Sequence, residues 1–182
     1  MHALELLLHR QSDARLTQPG PSPEQLSIIQ QVALLAPDHG ALTPWQFILV
    51  EGEGRDRLGE LFYRSAIASN LDERNIERSK SLALRAPLVI ICIAKHTQNN
   101  KVPRIEQVQS AGCAVFAMQQ AAFAQGLGGV WRTGHYAQCP IVKEELGLTN
   151  EDELVGFLYL GTPEIQHKKI RRLTPEQFFT HF

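Results

Sequence analysis

Seven consecutive residues, Leu88-Val89-Ile90-Ile91-Cys92-Ile93-Ala94, carry no charged or amide side chain. Successive side chains of a strand point to opposite faces, so this run has no face to offer water. It must be a sheet strand covered on both sides, and the covering helices have to come from the rest of the chain. Phe47–Val50 and Leu154–Leu160 read as further strands, and Val130-Trp131-Arg132 as a short one. Apolar residues at helical spacing mark 3–9, the stretch from Ser22 to Pro37, 55–69, roughly 103–126 and 140–147, and 72–84 reads as a heavily charged, solvent-facing helix. The 103–126 helix is apolar nearly all round, which predicts a central place for it. Clean βαβ units are too few for a doubly wound fold, and neither GxGxxG after a strand nor a Walker loop occurs. The expected fold class is therefore α+β: a three-layer sandwich with a central mixed sheet flanked by helices. Residues 1–182 are expected to form a single domain.

Charge and composition narrow the function classes. A formal net charge of -1 gives no global field to attract nucleic acid or a membrane surface. No apolar run approaches the ~20 residues of a membrane helix. Met1 to Arg10 includes Glu5 and lacks a basic n-region, so it does not read as a signal peptide. Cys92, Cys113 and Cys139 are odd in number and widely spaced, without a CxxC pair, which favours a reducing cytoplasm.

Chemistry concentrates in three places. Ala36-Pro37-Asp38-His39-Gly40-Ala41-Leu42-Thr43-Pro44-Trp45-Gln46-Phe47 holds two prolines and a glycine and must be an ordered loop leading into a strand. Its imidazole, carboxylate and flat ring suit a planar redox cofactor better than a metal. Arg10, Ser12 and Arg15 could fork a phosphate, or simply form a solvated basic turn. Trp131-Arg132-Thr133-Gly134 follows a glycine-rich turn and reads either as a ligand-binding strand end or as a strand end with an interfacial tryptophan. Asp38, His39, His135 and Cys139 match no zinc-ligand spacing, so no metal is expected. No GxSxG is present and Cys139 lacks a local activating pattern, so no catalytic nucleophile is assigned. The tail beyond 162 carries Ile165, Ile170, Leu173, Phe178, Phe179 and Phe182, enough apolar surface to want a docking site.

Leu6–Arg15, the 36–47 loop, Ala124–Trp131 and Val155–Pro163, in that order, resemble the nitroreductase family of FMN-dependent NAD(P)H oxidoreductases, in particular its short single-domain members. The resemblance implies an obligate homodimer with two FMN sites at the subunit interface. It carries Arg10, Gln11 and Ser12 over to the FMN phosphate and ribityl chain, and Leu35 and His39 to FMN contacts from the other subunit. Trp131, Arg132 and Thr133 complete that set. Ala121, Ala122, Phe123, Ala124, Gln125 and Gly126 correspond to a segment assigned to NAD(P)H. Gln11 stands where the common pattern has a second basic residue. Lys168, Lys169, Arg171 and Arg172 are available as a C-terminal phosphate ligand, none of them aligned. The implied chemistry is ping-pong hydride transfer from NAD(P)H to a nitroaromatic, quinone or similar small-molecule acceptor. Other flavin reactions (dehydrogenation, dehalogenation, enone reduction) and a flavin-storage module are the alternatives, with a zinc hydrolase more distant.

Overall fold

The computed structural model describes residues 2–165 and 173–182. Its strands are β1 (Leu16–Thr17), β2 (Trp45–Glu51), β3 (Leu88–Ala94), β4 (Gly128–Arg132) and β5 (Glu153–Pro163). Its α-helices are α1 (Ala3–His9), α2 (Pro23–Ala33), α3 (Glu53–Ala68), α4 (Glu73–Ser79), α5 (Arg104–Ala124), α6 (Gly134–Gln138) and α7 (Pro140–Glu145). The expected candidates Lys168, Lys169, Arg171 and Arg172 lie outside the described residues.

All seven residues of β3 are buried, as a strand with no polar face requires. Val89, Ile91 and Ile93 face Leu58, Leu61 and Phe62 of α3 and the small helices α6 and α7. Leu88, Ile90 and Cys92 face Ile29 and Ala33 of α2 and Ala114, Val115 and Met118 of α5. A capping box starts α2: Ser22 Oγ accepts from the Gln25 amide and Gln25 Oε1 accepts from the Ser22 amide. Such a cap is worth about 1 kcal/mol, less than the ~1.5–3 kcal/mol of fully burying Ile29. The cap therefore sets where α2 begins, and packing against α5 holds it there.

The sheet runs β1-β5-β3-β2, with β4 also paired to β5. Among the described residues every pair of hydrogen-bonded neighbours is antiparallel, which corrects the expected mixed sheet. The reason is topological. A single helix, α5, carries the chain from β3 to β4, and these two strands run in the same direction. They do not pair, because β5 inserts between them and opposes both. The 72–84 helix is also shorter than expected: α4 ends at Ser79 and a separate 3-10 turn spans Ala83–Arg85. The Ser79 and Ser81 hydroxyls donate to the Ile76 and Arg78 carbonyls, which competes with continued helix there. Within one chain α5 is covered on one side only, since Ile105 and Phe116 stay exposed.

Asp152, 1% exposed, ties the end of β3 to the start of β5. Its carboxylate accepts from Lys95 Nζ and from the His96 and Thr149 amides. Burial opposes its ionisation, but Lys95 and the two amides outweigh that and hold the pKa down to about 2. A depressed folded-state pKa stabilises above the unfolded value, near 3.9, and the contribution disappears as pH falls through 2. Asp152→Asn should therefore cost roughly 2.5 kcal/mol at neutral pH, and about half of that gap should be gone by pH 3. Urea unfolding of both proteins across that range measures it; a gap independent of pH would refute the assignment.

Candidate functional site

The edge of β4 organises the chemically active residues. The chain leaving α1 turns at Arg10 and runs back along that edge, where the Asp13 amide donates to the Gly129 carbonyl at 2.9 Å. Gly128 permits this approach: a Cβ there would stand 2.7 Å from Leu16 Cδ2 and 3.1 Å from Asp13 Cβ. Gln119, buried inside α5, donates to the same Gly129 carbonyl at 2.9 Å and lies 3.4 Å from Ser12 Oγ. It thus holds the turn after α1 onto the start of β4. The Arg10 guanidinium sits 5.6 Å from the ring centroid of Phe116, one helical turn before Gln119 on α5.

Along β4 the side chains alternate. Trp131 faces α5, and its Cη2 lies 3.6 Å from where a Cβ on Gly112 would be, so that glycine makes room for the indole. The indole Nε1 donates to the Val155 carbonyl at 3.1 Å. That carbonyl is presented by an irregularity in β5, where the register with β3 slips between Cys92 and Ile93. Arg132 points the opposite way, into a cavity of ≈ 480 Å³ lined by Phe62, Arg78, Arg85, Tyr136 and Tyr159 among others. Thr133 and Gly134 line its mouth. Burial pushes the Tyr159 phenol up to about 12, against the opposing pull of the Arg132 and Arg85 guanidiniums. Burial also lowers the Arg85 pKa, as do the positive charges of Arg78 and Arg132.

Two buried guanidinium nitrogens have no hydrogen-bond partner among the described residues: Arg10 Nη1 and Arg132 Nε. They belong to opposite ends of one short stretch of structure, because Asp13 meets β4 at Gly129 and Arg132 is three residues further on, about 10 Å along the strand. Arg10, Gln11, Ser12, Trp131, Arg132 and Thr133, far apart in sequence, are thereby brought to one sheet edge.

His39 is held elsewhere, and Leu35 follows the end of α2. Leu35 is 82% exposed. His39 Nδ1 lies 2.7 Å from Glu106 Oε2 in the first turn of α5. Asp38 shapes this loop by accepting from the Leu42 and Thr43 amides. Glu106 and Phe116 are ten positions apart on α5, which separates the His39 end from the Arg10 end by about 15 Å. The 121–126 segment is the end of α5. Ala121 and Ala122 are buried, and Ala124 and Gly126 are exposed. The Gln25 and Gln125 side-chain amides each donate to the other's backbone carbonyl. His135 and Cys139 both approach the Ser69 hydroxyl, whereas Asp38 accepts from the Leu42 amide and His39 pairs with Glu106.

A profile of the Nitroreductase family matches residues 8–162. The chain belongs to the nitroreductase family. It is 47% identical over 183 residues to "Putative NAD(P)H nitroreductase YdjA" of Escherichia coli K12, covering all of both chains. Among solved structures, a nitroreductase-like family protein from Bacillus cereus superposes with a TM-score of 0.87 at 24% identity, over 100% of this chain and 96% of that one. The FMN- and NADPH-dependent nitroreductase NfnB from sphigopyxis sp. strain HMH gives a TM-score of 0.77 at 16% identity, over 100% and 99%. At these identities the two structures establish the α+β nitroreductase-like fold. Membership makes the protein an oxidoreductase of that family.

Gln119, Phe116, Arg78 and Arg85 join the site without belonging to any of its sequence motifs. Gln119 stands beside Gln120 in a helix that also holds Gln107 and Gln109, so nothing in the sequence singles it out. Arg78 and Arg85 sit in a charged stretch that reads as solvent-facing, and only the cavity distinguishes them.

Proposed function

We propose that the protein is a homodimeric, FMN-dependent oxidoreductase that uses NAD(P)H to reduce nitroaromatic, quinone or similar acceptors by ping-pong hydride transfer. Residues 1–182 would form one FMN-binding domain per subunit, in the cytoplasm, where the unpaired Cys92, Cys113 and Cys139 are at home. The observation that carries the reading is the pair of buried, unpartnered donors on Arg10 and Arg132. A buried donor without a partner costs about 1–3 kcal/mol, more when charged, so such groups at a site edge favour an anionic or carbonyl-rich ligand. FMN has both, a phosphate and a polar ring edge. When bound, it would supply the two-electron chemistry between NAD(P)H and the acceptor.

The chain's own residues have defined tasks in this reading. Arg10 and Ser12 bind the phosphate end, with Gln11 beside them. Gln119 orients Ser12, and Trp131 shields the site on the α5 side. Arg132 and Thr133 hold the ring end. Leu35 and His39 come from the partner subunit, because within one chain His39 pairs with Glu106, about 15 Å along α5 from the Phe116 beneath Arg10, and Leu35 is exposed. Exposed Leu4, Leu7 and Leu8 on α1, with Ile105 and Phe116 on α5, form the apolar surface a second copy would cover. Of the 121–126 segment, the exposed Ala124 and Gly126 are what NAD(P)H would touch.

The test is sedimentation of the purified protein followed at a flavin wavelength. The protein should be yellow, release FMN on denaturation, and carry its colour at the mass of a dimer. A colourless protein that takes up no added FMN would overturn the reading, and a flavin-bound monomer would overturn its dimeric part.

A further inference from the structure

The cavity beneath β4 has a composition that phosphate binding at Arg10 does not explain. Three guanidiniums, Arg78 from α4, Arg85 from the following 3-10 turn and Arg132 from β4, line it together. No aspartate or glutamate lines it, and none of the three arginines makes an ion pair among the described residues. Like charges converge at a cost unless something negative joins them. The rest of the lining mixes leucines and small polar residues with aromatic rings: Phe62 stacks on Tyr136 at 4.3 Å, and Phe157 and Tyr159 join them. A cavity of ≈ 480 Å³ falls within the usual range of small-molecule sites.

We infer that Arg78, Arg85 and Arg132 form a binding site for a small planar aromatic anion, an aryl carboxylate, and that acceptors of this class are favoured over neutral ones. The acceptor role rests on the reductase reading above; the binding site does not. Planar guanidinium forks match a carboxylate bidentately, and the aromatic rings lining the same cavity match an aromatic body. Arg132 and Thr133 line this cavity and also belong to the set proposed for FMN, so an acceptor held here would lie against the flavin site.

The test is calorimetric titration of the FMN-loaded protein with benzoate and with neutral benzyl alcohol. Benzoate should bind at least roughly tenfold tighter, and Arg78→Gln and Arg85→Gln should each weaken it roughly tenfold, the loss expected for one charge-assisted contact. Arg78 is exposed on a short helix, so its variant remains informative should Arg85→Gln fold poorly. Equal affinity for the two ligands, unchanged benzoate affinity in both variants, or benzoate binding only to FMN-free protein would overturn the site; in the last case the cavity belongs to the flavin. In turnover, the ratio of kcat/KM for 4-nitrobenzoate to that for nitrobenzene should fall roughly tenfold in each variant. An unchanged ratio removes the acceptor role. If neither compound is reduced while the benzoate titrations keep their pattern, the reductase reading fails and the anion site stands.

Discussion

Arg10→Ala should abolish most of the rise in melting temperature that FMN gives the parent protein, while leaving the FMN-free protein about as stable as before. Arg10 is the residue that ends α1, so its side chain belongs to a loop edge and not to the core. In the free protein two effects oppose each other. The guanidinium over Phe116 contributes about 0.5–1 kcal/mol, whereas the buried Nη1 without a partner costs about 1–3 kcal/mol. Removing both changes little, and the balance tips towards slight stabilisation. With FMN present the sign reverses. Ligand at ~1,000 times its dissociation constant adds about 4 kcal/mol to the folded state, and losing a charge-assisted phosphate contact removes much of that. Gln11 supplies no second charge, so Arg10 carries more of the attraction. Arg15 is exposed and should matter less. Thermal melts of parent, Arg10→Ala and Arg15→Ala, each with and without saturating FMN, decide the matter; an undiminished FMN shift in Arg10→Ala means that Arg10 does not hold the phosphate.

Gly156→Ala should destabilise the protein by roughly 3–4 kcal/mol, combining overpacking with backbone strain. Gly156 lies in β5 opposite Cys92, with φ of 146°, a conformation L side chains rarely adopt. A Cβ there would stand 2.5 Å from the Arg132 carbonyl oxygen and 2.5 Å from Trp131 Nε1. Neither neighbour can retreat cheaply. The carbonyl is backbone of β4, whose Arg132 pairs with Phe157, and the indole is bonded to the Val155 carbonyl. The methyl group must therefore push Trp131 and Arg132 together away from β5, so FMN affinity should fall along with stability. Gly147→Ala is the control: its φ is also positive, 67°, but nothing lies within 4 Å of the added Cβ, leaving only the conformational cost of about 1 kcal/mol. Urea unfolding compares the two variants, and FMN titration of Gly156→Ala gives the second readout. Equal losses in both variants would show that the contact with β4 is not what requires glycine.

Some of this protein is written in short stretches of sequence and could be read there. Leu88–Ala94 has to be a strand covered on both faces, because every side chain in it is apolar. Ser22-Pro23-Glu24-Gln25 has to open a helix, because its hydroxyl and amide satisfy the free amides of the first turn. Asp38 and the prolines around it have to make an ordered loop. Each of these follows from groups within a few residues of one another, whose interactions are the same in any fold. Arg10, Trp131 and Arg132 were legible only as members of ordered motifs, since each alone reads equally well as an ordinary surface or strand-end residue.

The rest depends on which distant segments meet. That β5 inserts between β3 and β4, turning an expected mixed sheet into antiparallel neighbours, is a property of the whole chain path and of no single strand. Gln119 reaching Gly129, Gly156 yielding to Trp131, and Arg78 and Arg85 converging with Arg132 all join residues that sequence separates, and none leaves a local pattern. His39 shows the same limit from the other side: its loop could be read, but its pairing with Glu106, away from Arg10, was decided by where α5 begins. Local geometry is set by the chain's near neighbours, whereas a site is set by side chains that only the packed sheet and helices bring within hydrogen-bonding distance.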